Sequence, residues 1–217
     1  ATDVPVVIQA VDFAGNPRTV TFTLSVRPAN DATAPQVAIR CPGPGGFFPP
    51  GYGLPVSAAA SAVTGRTVSK VEFYAGSAQT PFATVTAPSG GLYGATYPIP
   101  AGTADGTTFV VRARAVDSAM FENSATVLIT VNTGQVFSTS ASIGAGVTTY
   151  ENQTVYVTGG TLTVDGHHSF NGMAVLAGSL THSASTIASP RSIDLDLGAR
   201  GMYLACGVSI DVSGKGY

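Results

Sequence analysis

Apolar and polar residues alternate with period two through most of residues 1–131, and that alternation predicts strands. Val6, Ile8 and Ala10 alternate first; VDFAGNPR then turns the chain. After it Val20, Phe22, Leu24 and Val26 alternate against Thr21, Thr23 and Ser25, so residues 1–27 read as a hairpin. A lone hairpin is marginal in water, and this one is expected to need the rest of a domain, or a neighbour, over its apolar face. RPANDATAP (27–35) follows as a polar, proline-bounded linker. Between Gln36 and Val131 there are seven strand-like runs: QVAIRC, LPVSAAASA, VSKVEFYAG, FATVTA, LYGATYPI, TFVVRARAV and SATVLITV. Seven short alternating strands in about one hundred residues is the count of a Greek-key sandwich.

The two ends of this region repeat one another. VVIQAVDFAGNPRTVTFTLSV (6–26) aligns without a gap on VRARAVDSAMFENSATVLITV (111–131), at a constant offset of 105. That spacing is the size of one immunoglobulin-like domain. The first copy has only five residues ahead of it, so the expectation is that the chain opens on the last two strands of a truncated domain within a longer array.

DATAP, VSKVEFYAG and RARAVDSAMFENSATVLITV resemble tandem bacterial Ig-like domains of large surface and secreted proteins. In that family an Asp-Thr-Ala-Pro-type linker enters each domain, and a D-x-x-G-N turn joins the last two strands. Asp12 to Asn16, DFAGN, keeps the turn motif, whereas Asp117 to Asn123 lacks its glycine. The resemblance covers residues 1–132.

From residue 134 the period changes. GGTLTV (159–164) recurs 18 residues later as AGSLTH (177–182), and more loosely as CGVSIDV (206–212). Val155 and Val157, Met173 and Val175, and Tyr203 and Leu204 precede these segments. Short strands with glycine at recurrent corners predict rungs of a parallel β-helix, with a third sandwich as the rival reading. TLTVDGHHSFNGMAVLAGSLTHS also resembles a β-helical segment of very large bacterial secreted proteins, some carrying RHS-type repeats downstream. The predicted fold is therefore all-β: Ig-like Greek-key sandwiches followed by the start of a parallel β-helix or a further β domain. Its parts are a truncated domain plus linker (1–30), a complete Ig-like domain (31–133) and a solenoid segment truncated at its end (134–217).

Charged residues are only 10% and the formal net charge is -2, with Lys and Arg scattered singly. That argues against a nucleic-acid or anionic-membrane partner. No apolar run approaches the ~20 residues of a membrane span. Low charge with abundant Thr, Val and Gly fits an extracellular or cell-surface protein. Cys41 and Cys206 fall in segments assigned to different domains, and a disulfide would need those domains to fold back on one another. The expectation is two buried thiols.

Asp12 with Asn16, and Asp117 with Glu122 and Asn123, cluster oxygens in the loop between the last two strands, and Asp31 lies in the linker. These are candidate calcium ligands at a domain junction; the alternative is an Asx turn bonding its own loop. No other cofactor is indicated. Asp165, His167, His168 and His182 form the histidine-bearing group, better read as turn and stacking residues because adjacent histidines on a strand face opposite ways. Asp194 and Asp196 share a strand face, near Arg191 and Arg200, without a sugar platform. FFPPGYG (47–53) holds Phe47, Phe48 and Tyr52, candidates for docking a partner or glycan, unless a phenylalanine plugs the sandwich end. Nucleophile and phosphate-loop motifs are absent, and no catalytic residue is named.

The reading these features support is a non-enzymatic structural or adhesive segment that spaces and presents modules. Its partners would be neighbouring domains, other copies by strand complementation, or a glycan or cell-surface ligand. Two alternatives stand beside it: an accessory glycan-binding region of a carbohydrate-active enzyme, and an outer region of an RHS-like toxin.

Overall fold

Alternation becomes pairing register in the folded chain. The computed structural model describes residues 2–11, 17–26 and 33–215, with side chains in the first two segments described for residues 6–9 and 17–21. It divides into two units, residues 1–34 and 35–217. The first holds an antiparallel hairpin of β1 (Thr2–Val11) and β2 (Pro17–Val26), in which Ile8 pairs with Val20 and both are exposed.

The second unit begins with a sandwich of eight strands. They are β3 (Gln36–Cys41), β4 (Phe47–Phe48), β5 (Gly53–Ser61), β6 (Val68–Ala75), β7 (Ala83–Val85), β8 (Tyr93–Pro98), β9 (Thr107–Asp117) and β10 (Glu122–Val131). One sheet has the order β3-β5-β8 and the other β4-β10-β9-β6-β7. The chain crosses to the other sheet for β4 and back for β5, then changes sheets again between β5 and β6, β7 and β8, and β8 and β9, which makes the sandwich an immunoglobulin-like Greek key. Leu54, Val56 and Ala58 pack against Val71, Phe73, Val111, Ala113 and Ile129, the inward set that alternation selects. All seven expected strands are present; the eighth is β4, which runs parallel to β10.

The repeat at offset 105 is a repeat of register. The pairs from Thr2↔Val26 to Val11↔Pro17 in the hairpin recur as Thr107↔Val131 to Val116↔Glu122 between β9 and β10, position for position.

Glu72 and Tyr74 alternate outward on β6, yet both are buried. The Arg112 guanidinium lies 4.1 Å from the Tyr74 ring centroid, and Glu72 takes hydrogen bonds from Lys70 at 2.6 Å, Tyr74 at 2.9 Å and Arg114 Nε at 2.9 Å. Burial alone would raise the Glu72 carboxyl, but those bonds outweigh it and hold it down at about 2.

Residues 135–210 form eight more strands: β11 (Gln135–Phe137), β12 (Ala141–Ile143), β13 (Thr154–Val164), β14 (Gly166–Phe170), β15 (Gly172–Thr181), β16 (Ile193–Leu197), β17 (Met202–Leu204) and β18 (Ser209–Ile210). β11, β13, β15 and β17 stack in one sheet, β12 pairs the second half of β13, β18 pairs that of β15, and β14 pairs β16. Every one of these pairings is parallel, so this is a β-helix and not a third antiparallel sandwich. Ala141, Leu162 and Leu180 stack inside, as do Ile143 with Val164 and Val157 with Val175. The recurrent corner glycines Gly160 (φ 66°) and Gly178 (φ 81°) lie in the left-handed region. A Cβ on Gly178 would collide with the Gly160 carbonyl, so stacked rungs can turn there only with glycine.

The Glu72 cluster sets an acid dependence. The folded chain binds this proton less readily than the unfolded one, so the stabilisation is complete above about pH 5 and is lost as pH falls towards 2. With Lys70 and Arg114 partly exposed, Glu72→Gln is expected to cost about 1–3 kcal/mol at pH 7 and to flatten the fall in melting temperature below pH 5. Calorimetry that finds parent and variant falling in parallel would refute this role for Glu72.

Candidate functional site

Sandwich and solenoid meet through a shared apolar core. On β13, β15 and β17 the residues Tyr156, Ala174 and Tyr203 are register partners. They alternate with Val155 and Val157 on β13 and with Met173 and Val175 on β15, which point into the solenoid. The outward column is therefore apolar too, and the sandwich covers it. The Phe47 ring sits 5.9 Å from Tyr156 and 6.2 Å from Tyr203, and Phe48 sits 5.5 Å from Tyr203 and stacks on Tyr52 at 6.0 Å. Phe47, Phe48, Tyr156, Ala174, Leu176 and Tyr203 belong to the same buried cluster as the sandwich interior. The phenol groups are satisfied: Tyr156 donates to Asn132 O at 2.9 Å, and the Gly43 N–H donates to the Tyr203 hydroxyl at 3.1 Å. Burial pushes the Tyr156 and Tyr203 phenols up.

A disulfide closes this junction. Cys41, at the end of β3, bonds Cys206, just after β17, across 165 residues with their Cα atoms 6.2 Å apart. The expectation of two buried thiols is corrected: the segments do fold against one another, because the outward face of the solenoid sheet is apolar and needs cover.

Beside the apolar contact the junction is polar. The register that aligns Gln135, Val155, Met173 and Met202 also aligns Thr133, Gln153, Asn171 and Arg200 two residues earlier, one on each rung. Asn171 N donates to Gln153 O at 2.9 Å and Arg200 N to Asn171 O at 3.2 Å, which continues the ladder to that row. Between the two rows, three of four positions are glycine: Gly134, Gly172 and Gly201, with Thr154 the fourth. A Cβ on Gly172 would stand 2.6 Å from Arg200 Cβ, so its absence lets the arginine lie along the rungs. Arg200 donates to Thr154 Oγ1 and stands 3.5 Å from Asp105 Oδ2 in the β8–β9 loop. The Thr133 N–H, at 2.7 Å, holds the Asp105 carboxyl below the usual range, helped by Asn132, the Thr133 hydroxyl and Arg200. The space between is a cavity of about 440 Å³.

Asp12, Asn16 and Asp31 lie outside the described residues. Asp117 is fully buried and caps its own loop: Oδ1 accepts the Ala119 and Phe121 N–H groups, both at 2.9 Å, and Oδ2 takes Arg66 at 3.1 Å. Burial raises that carboxyl and the three donors lower it further, leaving it below the usual range. Glu122 points instead to Arg114 at 3.2 Å, and the Asn123 side chain takes the Ser124 N–H at 2.8 Å. The three loop oxygens are thus not brought together, and the Asx-turn geometry holds. The missing glycine is met by strain: Met120, which aligns with Gly15, has φ 63° and is exposed. Phe47 and Phe48 are 4% and 1% exposed, so they are core residues rather than a docking loop, with Tyr52 packed on them.

His168 is buried between Glu151 Oε1 at 2.8 Å and the Asp165 carbonyl at 3.2 Å, while His167 faces solvent beside Asp194 at 3.2 Å. His182 bonds the Ser183 carbonyl and joins neither. Asp196 lies on the exposed face of strand β16 beside a second cavity of about 210 Å³ that shares Asn152 and Asn171 with the first. Among the described residues no three His, Cys, Asp or Glu side chains form a group that could hold a metal ion. Sequence reasoning did not single out the polar ladder or the outward aromatic column. The signal for the column was the unbroken apolar runs VYV and MAVL, in which both faces of a strand are apolar.

No family model matches the chain, and no curated protein matches it in sequence. Among solved structures it is similar to the fibronectin(III)-like modules of Clostridium thermocellum CbhA, at 15% identity and TM-score 0.37, over 60% of this chain and 63% of that one. It is also similar to pectate lyase PelI from Erwinia chrysanthemi, solved with tetragalacturonic acid, at 10% identity and TM-score 0.25, over 79% of this chain and 65% of that one. The chain spans less than two thirds of the length of either.

Phe48→Ala should remove about 3–5 kcal/mol and lower the melting of sandwich and solenoid together, because the ring belongs to both. Two thermal transitions, one of them unmoved, would show independent halves. Met120→Gly should stabilise the second unit by about 1 kcal/mol, through relief of the left-handed backbone; an unchanged or lower denaturation midpoint would contradict that.

Proposed function

We propose that the chain is a non-enzymatic structural segment of a large extracellular bacterial surface or secreted protein, a stiff piece that spaces and presents other modules. The observation that carries this reading is the shared core of sandwich and solenoid, crossed by the Cys41–Cys206 bond. The repeated hairpin register supports membership of a tandem Ig-like array. The disulfide fits an oxidising compartment.

The position of the bond gives the segment its mechanics. Tension entering at residue 35 passes along β3 to Cys41 and crosses directly to Cys206. The strands between them lie inside a covalent loop and carry no load, while the apolar junction keeps them from swinging. A hinge between sandwich and solenoid would defeat a spacer, and the shared core opposes one.

Single-molecule pulling on the full chain, held at both ends, tests this. Under oxidising conditions the loop stays closed; a thiol reductant should add extension from 165 residues, about 60 nm at full stretch. Full extension of the oxidised chain would overturn the reading, as would a reduced chain in which sandwich and solenoid yield at widely separated forces.

A further inference from the structure

The geometry points to a binding groove for a neutral oligosaccharide, laid along the polar ladder at the junction. This is independent of the spacer role and uses none of the residues that the sequence marked as candidates for docking.

Three features of the groove carry the inference. First, it is walled on two sides: the β8–β9 loop with Asp105 closes it on the sandwich side, and Thr133, Gln153, Thr154, Asn171 and Arg200 close it on the solenoid side. The resulting volume, about 440 Å³, lies within the range of small-ligand sites. Second, the wall is a ladder of planar or hydroxylic hydrogen-bonding groups. Gln153 and Asn171 carry carboxamides, each able to donate and accept, flanked by the Thr133 hydroxyl and the Arg200 guanidinium. Adjacent hydroxyls on a sugar ring present paired donors and acceptors that such groups match two at a time. The rungs repeat at about 4.8 Å, close to the advance of one sugar unit along an extended chain, so successive units meet successive rungs. Third, the ends are fixed in advance. Arg200 is tethered to Thr154 and Asp105, and Asp105 is held by Asn132 and Thr133, so little ordering remains on binding.

Charge selects among glycans. Arg200 and Asp105 face one another and cancel, and Asp196 beside the adjoining cavity adds a negative charge. A carboxylated or sulfated sugar would find its one cation already paired and a carboxylate nearby. A neutral chain meets no such cost.

The test uses the full chain, with cellohexaose and mannohexaose as neutral probes and hyaluronan hexasaccharide as the acidic one, read by saturation-transfer NMR and calorimetric titration. The expected result is binding of at least one neutral hexasaccharide, weakened tenfold or more in Asn171→Ala at unchanged melting temperature. Should that variant melt early, Gln153→Ala replaces it, since the Gln153 side chain donates to the corner carbonyl of Thr149 at an exposed position. Failure of both neutral probes to bind would overturn the proposal. Equal affinity of the variant would overturn the location, and binding of the hyaluronan probe alone would overturn the assignment to neutral sugars. The pulling result does not bear on any of these outcomes.

Discussion

Burial of one outward apolar column organises the second unit. A parallel solenoid sheet has two faces, and only one can look inward. Where Tyr156, Ala174 and Tyr203 stand on the other face, water would meet an apolar stripe three rungs tall. The open end of a sandwich has a matching deficiency, and β4 supplies Phe47 and Phe48 to meet it. Each half closes the other. The disulfide then joins two points 165 residues apart in sequence, a constraint on the unfolded chain of about 5 kcal/mol by loop entropy.

The polar groove is a consequence of the same docking. Setting the sandwich on that column brings the β8–β9 loop to the solenoid corner, where Asp105 receives Arg200. Arg200 reaches it only because Gly172 has no side chain on the intervening rung. A residue that looks like a rung filler in sequence is thereby a condition for an ion pair between two architectures. The groove is what remains open between the paired charges and the ladder of amides.

The loop between β9 and β10 shows how one sequence pattern supports two chemistries. Acidic and amide side chains at Asp117, Glu122 and Asn123 have the composition of a hard-cation site. Burial decides otherwise: with Asp117 at the bottom of the loop, its oxygens are the nearest acceptors for Ala119, Phe121 and Arg66. An unpaired amide there would cost more than an empty ligand position. Met120 accepts a left-handed backbone to keep that arrangement where the first copy has glycine.

Local periodicity was sufficient for much of the fold. Period two placed seven of the eight sandwich strands within a residue or two, and the offset of 105 carried the register of an entire hairpin. The 18-residue recurrence placed Leu162 on Leu180. Such features are local, since alternation and rung length are written in neighbouring residues. In the last rung the alignment shifted by one: Met202 and Leu204 continue the inner ladder, and Tyr203 faces the sandwich. That shift could not be read locally, because an apolar residue has no label saying which apolar surface it will meet. The disulfide, the Arg200–Asp105 pair and the ladder of Thr133, Gln153, Asn171 and Arg200 share that property. Their partners lie from 18 to 165 residues apart, brought together by rung stacking and by the docking of two apolar surfaces. The strands were determined by the sequence alone; which faces touch, and therefore every candidate for function, was decided by tertiary packing.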